Sequence, residues 1–204
     1  MSEKTVLLLI LALPSPDDKE ALQQYQQGAG PLSAKHGGKV LGKIAIAENF
    51  VGENPAAFLS IAEFPSAEEV KRLLGSEDYQ KLVPARDKAL KSLNLYISQP
   101  GQVVPSLEAD NRSLLITMAA PADMEALQQY QQGAGPLSAK HGGKVLGKIA
   151  IAENFVGENP AAFLSIAEFP SDQAIKDFFN DEAYQSLIPL REKALSSLNL
   201  YLAG

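Results

Sequence analysis

The chain has 204 residues, of which 46% are hydrophobic and 21% are charged, and its net charge is −6 at pH 7. These proportions are typical of a soluble globular protein, and the acidic balance argues against nucleic acid as a partner, because phosphate binding requires clustered lysines and arginines. The absence of cysteine from the sequence excludes disulfides, thiolate metal sites and cysteine nucleophiles.

A long internal repeat sets the domain organisation. Residues 20–66 and 125–171 are the same 47 letters, at an offset of 105. This period is that of a small domain rather than of a solenoid unit. We therefore predict one domain at 1–98, a linker rich in glycine and proline at 99–110, and a second domain at 111–204.

The two copies are less similar outside the identical block. At the same offset, residues 67–98 share 15 of 32 positions with 172–203, and 9–11 faces 114–116. An edge this abrupt indicates that the block was overwritten. Gene conversion and deliberate engineering both remain open as the cause.

The first half of each copy is predicted to be strand, helix, strand. In the first copy, an apolar run at 6–13 has the length of a strand and ends at a proline. The helix that follows is predicted to break at Pro31 and to end at Gly37, because glycine suits the left-handed cap of a helix. A long strand is predicted at 39–51.

The second half is predicted to be strand, helix, strand. The strand at 57–64 has apolar residues on both faces, which is typical of a sheet that is covered on both sides. Ser66 and Glu69 form a capping box that opens the second helix, which pauses at Gly75 and then continues. The last strand is predicted at 93–97.

The apolar run at 6–13 also has the length of a signal-peptide core. A related run lies in mid-chain at 114–119, where no signal peptide could act, and both runs are too short to span a membrane. We therefore interpret both as strands and predict a cytoplasmic protein with no membrane partner.

The order βαββαβ predicts an α+β fold of tandem ferredoxin-like domains, each with a four-stranded antiparallel sheet and both helices on one face. The other face of each sheet is also apolar, and one copy alone would expose it. We expect the second copy to cover it, so that the chain forms an intrachain dimeric α+β barrel, a pseudo-dimer that still leaves further homo-oligomers open.

Several segments of the sequence resemble a known family. These are Tyr25 with Pro31, the run Lys35-His36-Gly37-Gly38-Lys39-Val40-Leu41, the run Ala62-Glu63-Phe64-Pro65-Ser66, and the run Ser76-Glu77-Asp78-Tyr79-Gln80 with Arg86. Over nearly all of each copy they resemble the domain of unknown function 1330, a family of the dimeric α+β barrel superfamily. The resemblance implies the same fold and a face-to-face dimer, and it implies no particular activity.

Other branches of that superfamily include cofactor-independent monooxygenases, chlorite-dismutase-like haem proteins and muconolactone isomerases. The chain departs from the family pattern at two places. His36 stands where the family usually has tyrosine, and the aromatic that the family often carries in the second helix is replaced by 73–74 (Leu-Leu) in copy one but kept at 178–179 (Phe-Phe) in copy two.

The preferred candidate site is a polar cluster between the sheet and the second helix. Glu63 lies in an apolar strand, and a carboxylate there must be paired or neutral. Arg86 is the expected partner, and Tyr79 lies two helical turns before it on the same face. Either Glu63 is a base or anchor and Arg86 binds a small anionic ligand, or the two form a structural ion pair. The equivalent residues of the second copy are Glu168, Arg191 and Tyr184.

The two histidines, His36 and His141, occupy the same position in the two copies. A histidine there could act as a base or as a metal or haem ligand, but a positive side chain at the C-terminus of a helix is also favoured by the helix dipole. Since each copy has one histidine and no nearby carboxylates in sequence, we predict no metal site and no cofactor.

Asn49 and Asn154 end the long strand of each copy and could line the mouth of a pocket, although a solvated strand end explains them equally well. Three function classes remain open. They are a cofactor-independent enzyme, a binding protein without turnover, and a structural or interaction protein, which includes an engineered tandem repeat with no catalytic activity.

Overall fold

The computed structural model describes residues 5–105 and 113–203. The elements of the first copy are β1 (Val6–Pro14), α1 (Lys19–Lys35), β2 (Lys39–Val51), β3 (Phe58–Phe64), α2 (Ala67–Gly75), α3 (Glu77–Gln80), α4 (Val83–Ala89) and β4 (Leu90–Ser98). Those of the second copy are β5 (Ser113–Pro121), α5 (Met124–Lys140), β6 (Lys144–Val156), β7 (Phe163–Phe169), α6 (Asp172–Asn180), α7 (Glu182–Gln185), α8 (Ile188–Ala194) and β8 (Leu195–Ala203).

The first helix of each copy is continuous, which differs from the predicted break. Pro31 lies inside the 17 residues of α1. Gly28 has a packing role in this helix, because a Cβ atom there would lie 2.6 Å from the Leu82 side chain. The helix ends at Lys35, and Gly37 follows it with a left-handed φ of 77°, as predicted for the cap.

The second helical region is three short helices instead of one with a pause. Ser66 caps α2 as predicted, since its side chain accepts a hydrogen bond from the Glu69 amide. Ser76 ends α2 in an extended conformation and then caps α3 by accepting from the Tyr79 amide. The helix α4 begins at Val83 with Pro84 in its first turn, and β4 starts at Leu90, three residues before the predicted strand.

The copies differ in how the first strand joins the first helix. Leu8 pairs with Ala62, whereas Leu115 pairs with Ala167, so equivalent positions of β1 and β5 are 107 residues apart. The alignment of 9–11 with 114–116 is therefore wrong by two residues, because the connection is two residues shorter in the second copy. A shift of two leaves every side chain on the same face of the sheet.

The described residues form two compact units that do not follow the repeat boundaries. Unit 1 consists of 5–45, 54–103 and 151–158, and unit 2 of the remaining described residues, including 46–53. Each unit thus contains most of one copy and one strand end from the other. The predicted linker at 99–110 extends beyond 105, and its last five residues lie outside the described residues.

Each unit has an antiparallel sheet of five strands. The order in unit 1 is β2-β3-β1-β4 followed by the end of β6, and in unit 2 it is β6-β7-β5-β8 followed by the end of β2. In unit 1, Leu9 pairs with Ile61 on one side and with Tyr96 on the other, and Tyr96 pairs with Asn154 of the added strand end.

The helices cover one face of each sheet. In β3, Ser60 and Ala62 point toward α1, whereas Leu59 and Ile61 point to the opposite face and are fully buried. Both faces are thus apolar, as the sequence predicts. The tandem α+β arrangement of two ferredoxin-like halves is confirmed.

Candidate functional site

Unit 1 contains a cavity of about 370 Å³ between α1 and the helix-facing side of the sheet. Its walls are almost entirely apolar. The lining includes Leu8, Ile10, Ala12, Leu22, Tyr25, Ala29, Phe58, Ser60, Ala62, Leu73, Leu74, Tyr79, Leu93 and Leu95. The pocket was predicted to lie between the sheet and the second helix, and the prediction was incomplete, because α1 supplies one entire wall.

Two tyrosines form a hydrogen-bonded cluster in this lining, which also includes the polar side chains of Gln26, Ser33, Lys43 and Ser60. The Tyr25 hydroxyl lies 3.2 Å from the Tyr79 hydroxyl, and the rings meet edge to face with centroids 6.5 Å apart. Arg86 Nη1 donates to the Tyr79 hydroxyl at 3.5 Å. Arg86 does not itself line the cavity, so it acts on a ligand only through Tyr79.

Burial keeps the Tyr25 hydroxyl of this cluster protonated. Burial, reinforced by Tyr79, raises the pKa of Tyr25 well above its usual value. Burial by itself would lower the pKa of Arg86, but its hydrogen bonds to Tyr79 and Asp87 raise it on balance. The Arg86–Asp87 ion pair is 2.7 Å long.

A count of hydrogen atoms shows what the cluster can offer a ligand. Arginine has no acceptor and uses none of the hydroxyl protons. Tyr25 and Tyr79 carry two hydroxyl protons and share one hydrogen bond, so one proton is left to donate. The tyrosine cluster therefore supplies a single hydrogen-bond donor to a mostly apolar cavity, which suits an acceptor oxygen.

Unit 2 has an equivalent cavity of about 360 Å³. The Tyr130 and Tyr184 hydroxyls are 3.1 Å apart, and Arg191 Nη1 donates to Tyr184 at 3.2 Å. Burial, with Tyr184, raises the pKa of Tyr130 in the same way. Phe178 and Phe179 line this cavity at the positions that leucines occupy in unit 1.

Local structure explains how these side chains are positioned. Tyr25 lies on the face of α1 that also carries Leu22 and Ala29, at helical spacing. The Ser76 cap fixes the start of α3 and thus Tyr79, which is 4% exposed. Tyr79 and Arg86 are in contact, as their spacing on one helical face suggests, and their role in a ligand site stays a prediction. Tyr25 was missed as a site residue, although its helical spacing with Leu22 was visible.

The predicted role of Glu63 in the cavity is wrong. Glu63 has the parity of Leu59 and Ile61 and so points to the face of the sheet that lacks the helices. Arg86 pairs with Asp87 instead. The equivalent Glu168 is buried, and Lys144 Nζ lies 3.5 Å from its carboxylate.

The histidines lie at helix ends outside both cavities. His36 Nδ1 is 3.2 Å from a Glu69 oxygen, and His141 Nε2 is 2.9 Å from an Asp181 oxygen. The catalytic hypothesis for these residues gains no support, because neither ring reaches a cavity. Their positions agree with the helix-end interpretation.

Asn49 and Asn154 are exposed, and neither lines the two cavities described above. They lie in the exchanged strand ends, which are the segments 46–53 and 151–158 that each unit takes from the other copy. There Asn49 pairs with Tyr201, and Asn154 pairs with Tyr96. That they form the mouth of a pocket stays a prediction, and in the structure both belong to the pairing of the fifth strand.

Residues suited to a metal or to haem are missing from this site. Within 5–105 and 113–203, no group of three or more histidine, aspartate and glutamate side chains could hold a metal ion. No histidine lines either cavity, and the raised tyrosine pKa values disfavour a tyrosinate ligand. The described helices also include none long and apolar enough to cross a membrane.

The family described as domain of unknown function (DUF1330) matches residues 8–99 and again 112–203. The chain belongs to this family. No curated protein is similar in sequence to the chain. The two matched segments coincide with the two copies of the repeat.

Solved structures of two other proteins resemble the whole chain. An anthrone oxidase-like protein is 14% identical over 99% of this chain and 92% of that one, with a TM-score of 0.55. A mutant chlorite dismutase from Candidatus Nitrospira defluvii is 9% identical over 100% and 92%, with a TM-score of 0.54. Identities this low show the fold alone, and they confirm the dimeric α+β barrel class.

Proposed function

We propose that this DUF1330 protein binds small, largely apolar molecules that carry an acceptor oxygen, with one site in each unit. The observation that carries the proposal is the spare hydroxyl proton of the tyrosine pair in a cavity whose lining is mostly apolar. Cavities of this size and polarity are typical of small-molecule sites. The nearby arginine favours an anionic oxygen, such as that of a carboxylate or phenolate.

Binding without turnover is favoured over catalysis. Apart from the tyrosines, the ionisable side chains that line the described cavities are Lys43 and Lys148. Each lysine lies over a phenylalanine ring, at 3.9 Å from Phe58 and 3.8 Å from Phe163. No carboxylate or imidazole reaches either described cavity, so neither has an evident general base. The predicted cytoplasmic location stays a prediction.

Native mass spectrometry beside a denatured spectrum tests the proposal first. A mass excess of about the size of a small organic molecule (a few hundred daltons) in the native spectrum alone would identify a ligand that fits these cavities. Titration with 2-naphthoate and with decanoate then tests binding directly. Saturable binding of either probe supports the proposal, and binding of neither contradicts it and favours a structural role.

Tyrosine variants test the donor. The quadruple variant Tyr25→Phe/Tyr79→Phe/Tyr130→Phe/Tyr184→Phe removes every tyrosine hydroxyl from the two cavities and should weaken binding roughly threefold to tenfold, the value of one hydrogen bond. Tyr25→Phe/Tyr130→Phe alone keeps one hydroxyl per cavity and should lose less. Tyr96→Phe is the matched control, because Tyr96 is buried outside the cavities. Equal affinities for all variants would contradict the donor's role.

A further inference from the structure

Part of the lining consists of the same residue types in both cavities, and another part differs between them. The residues from α1, β2 and β3 fall in the identical block, so those walls are the same in both units. The differences come from outside the block. Leu73 and Leu74 of unit 1 are replaced by Phe178 and Phe179 in unit 2, and Thr117 stands in β5 where β1 has Ile10.

The substituted residues of unit 2 form an aromatic wall with the site tyrosine. The Phe178 and Phe179 ring centroids are 5.0 Å apart, and Tyr184 lies 4.6 Å from Phe178 and 5.1 Å from Phe179, edge-on to the latter. Three adjacent rings offer both faces and edges to a bound ring. Such contacts favour planar aromatic ligands beyond the area that they bury.

The charge behind the tyrosine pair also differs. In unit 1 the Arg86 guanidinium forms a 2.7 Å ion pair with Asp87. Glu192 replaces this aspartate in unit 2, and in the part of the chain that the structure describes Arg191 makes its hydrogen bond to Tyr184 without an ion pair. More of the arginine's positive charge therefore remains available at the unit 2 site.

We infer that the unit 2 cavity selects planar aromatic anions, such as arene carboxylates or phenolates, while the unit 1 cavity selects aliphatic ligands. The inference rests on the proposed binding function and adds a ligand class for each site. It follows from the ring wall, and from an arginine that has no ion pair among the described residues. Both features are specific to unit 2.

The experiment measures each cavity with the other one filled. Ser60 and Ser165 are equivalent residues on the cavity floors, so Ser60→Phe leaves the unit 2 cavity open and Ser165→Phe leaves the unit 1 cavity open. Calorimetric titration of each variant with 2-naphthoate and with decanoate gives four dissociation constants. The 2-naphthoate to decanoate preference should be at least about fivefold greater in unit 2.

Exchange of the wall residues assigns the cause. In the Ser60→Phe background, Phe178→Leu/Phe179→Leu should remove the aromatic preference, and in the Ser165→Phe background, Leu73→Phe/Leu74→Phe should create it. Phe179→Leu alone is a milder variant for the case in which the double variant does not fold, since Phe179 is only half-buried. Arg191→Gln should weaken the binding of 2-naphthoate but not the binding of the uncharged 2-naphthamide.

The outcomes separate the inference from the function on which it rests. Binding of both probes with the same preference in both cavities overturns the inference and leaves the proposed function standing. Binding of neither probe to the unmodified chain overturns the proposed function, and the inference falls with it. A preference that follows the phenylalanines supports both.

Discussion

The two copies of the identical block have the same secondary structure but not the same contacts. The pairs α1 and α5, β2 and β6, and β3 and β7 have matching bounds at the offset of 105. Yet His36 binds Glu69 of α2, whereas His141 binds Asp181 at the start of α7. The partners differ because both carboxylates lie outside the block, where the copies have diverged.

The comparison shows that the contacts and ligand preference of an identical segment depend on the residues that surround it. The first cavity has an aliphatic wall and a neutralised arginine, and the second has an aromatic wall and an arginine without that ion pair. The letters of α1 and β3 fix the shape of each site. The variable residues around them fix which ligands each site prefers.

The largest expected effect concerns two equivalent glycines, one in each copy, whose structural contacts are also equivalent. Gly52 and Gly157 have φ values of 102° and 96°, and an added Cβ would lie 2.6 Å from the Leu198 carbonyl oxygen and 2.8 Å from that of Leu93. Alanine at either position should cost about 3 kcal/mol or more, from backbone strain together with overlap. Urea unfolding should show equal losses for both variants.

Gly75→Ala is the control for these two variants. A Cβ at Gly75 meets no atom within 4 Å, so this change should leave stability the same or raise it slightly. A loss below about 1 kcal/mol for Gly157→Ala would contradict the close approach.

A smaller effect on stability is expected at the N-termini of α1 and α5, which follow connections of different length and are capped differently. Asp123 caps α5 by accepting from the Ala126 amide at 2.9 Å, and this bond lowers the pKa of Asp123. Asp18 caps nothing. Asp123→Ala should therefore lower Tm by roughly 2–4 °C, and Asp18→Ala by less. Equal shifts in a thermal melt would show that the caps do not distinguish the copies.

The histidine contacts predict a difference in pH dependence. Hydrogen bonds from Lys140, His141 and the Ala183 amide hold the pKa of Asp181 far below its usual value. Since the folded-state pKa is depressed, the stabilisation is complete above the unfolded pKa of about 4 and is lost as the pH falls toward the folded value. Asp181→Asn should thus be less stable than the parent at pH 7, with a gap that closes below about pH 4.

Glu69→Gln is the matched variant in the first copy. The hydrogen bond between Glu69 and His36 is the main cause that lowers the pKa of Glu69. The stability difference between Glu69→Gln and the parent should be smaller at pH 7 and should also narrow as the pH falls. Urea unfolding at several pH values between 7 and 3 measures both. A gap for Asp181→Asn that does not change with pH would show that the charge is not responsible.

The smallest effect concerns the ion pairs of the exchanged strand ends. Lys71 lies 2.9 Å from Glu153, and Lys176 lies 3.2 Å from Glu48. All four side chains are about two-fifths exposed or more, so solvent screens the pairs. Lys71→Met and Lys176→Met should shift Tm only slightly and equally, and 1 M salt should remove the difference. A large shift for one variant alone would break the equivalence of the strand ends.

Sequence reasoning identified the fold well, because the repeat, the apolar periods and the caps all act locally. It also placed Tyr79 beside Arg86, since seven residues bring two side chains to one helical face. It failed for Glu63, because both faces of β3 are apolar and the sequence does not show which face the helices cover. The pairing of Asn49 with Tyr201 could not be predicted for a similar reason, since identical letters in β2 and β6 cannot indicate which copy's last strand each one joins.

The exchanged strand ends have a consequence for inheritance. Each unit contains segments from both copies. Two separate, identical chains could supply the same segments to each other, but every mutation would then be present in both chains. In one continuous chain, Leu73 and Phe178 are encoded by different codons, so each cavity can change while the other stays as it was. One gene can then evolve two different sites without a second gene to supply the missing strands.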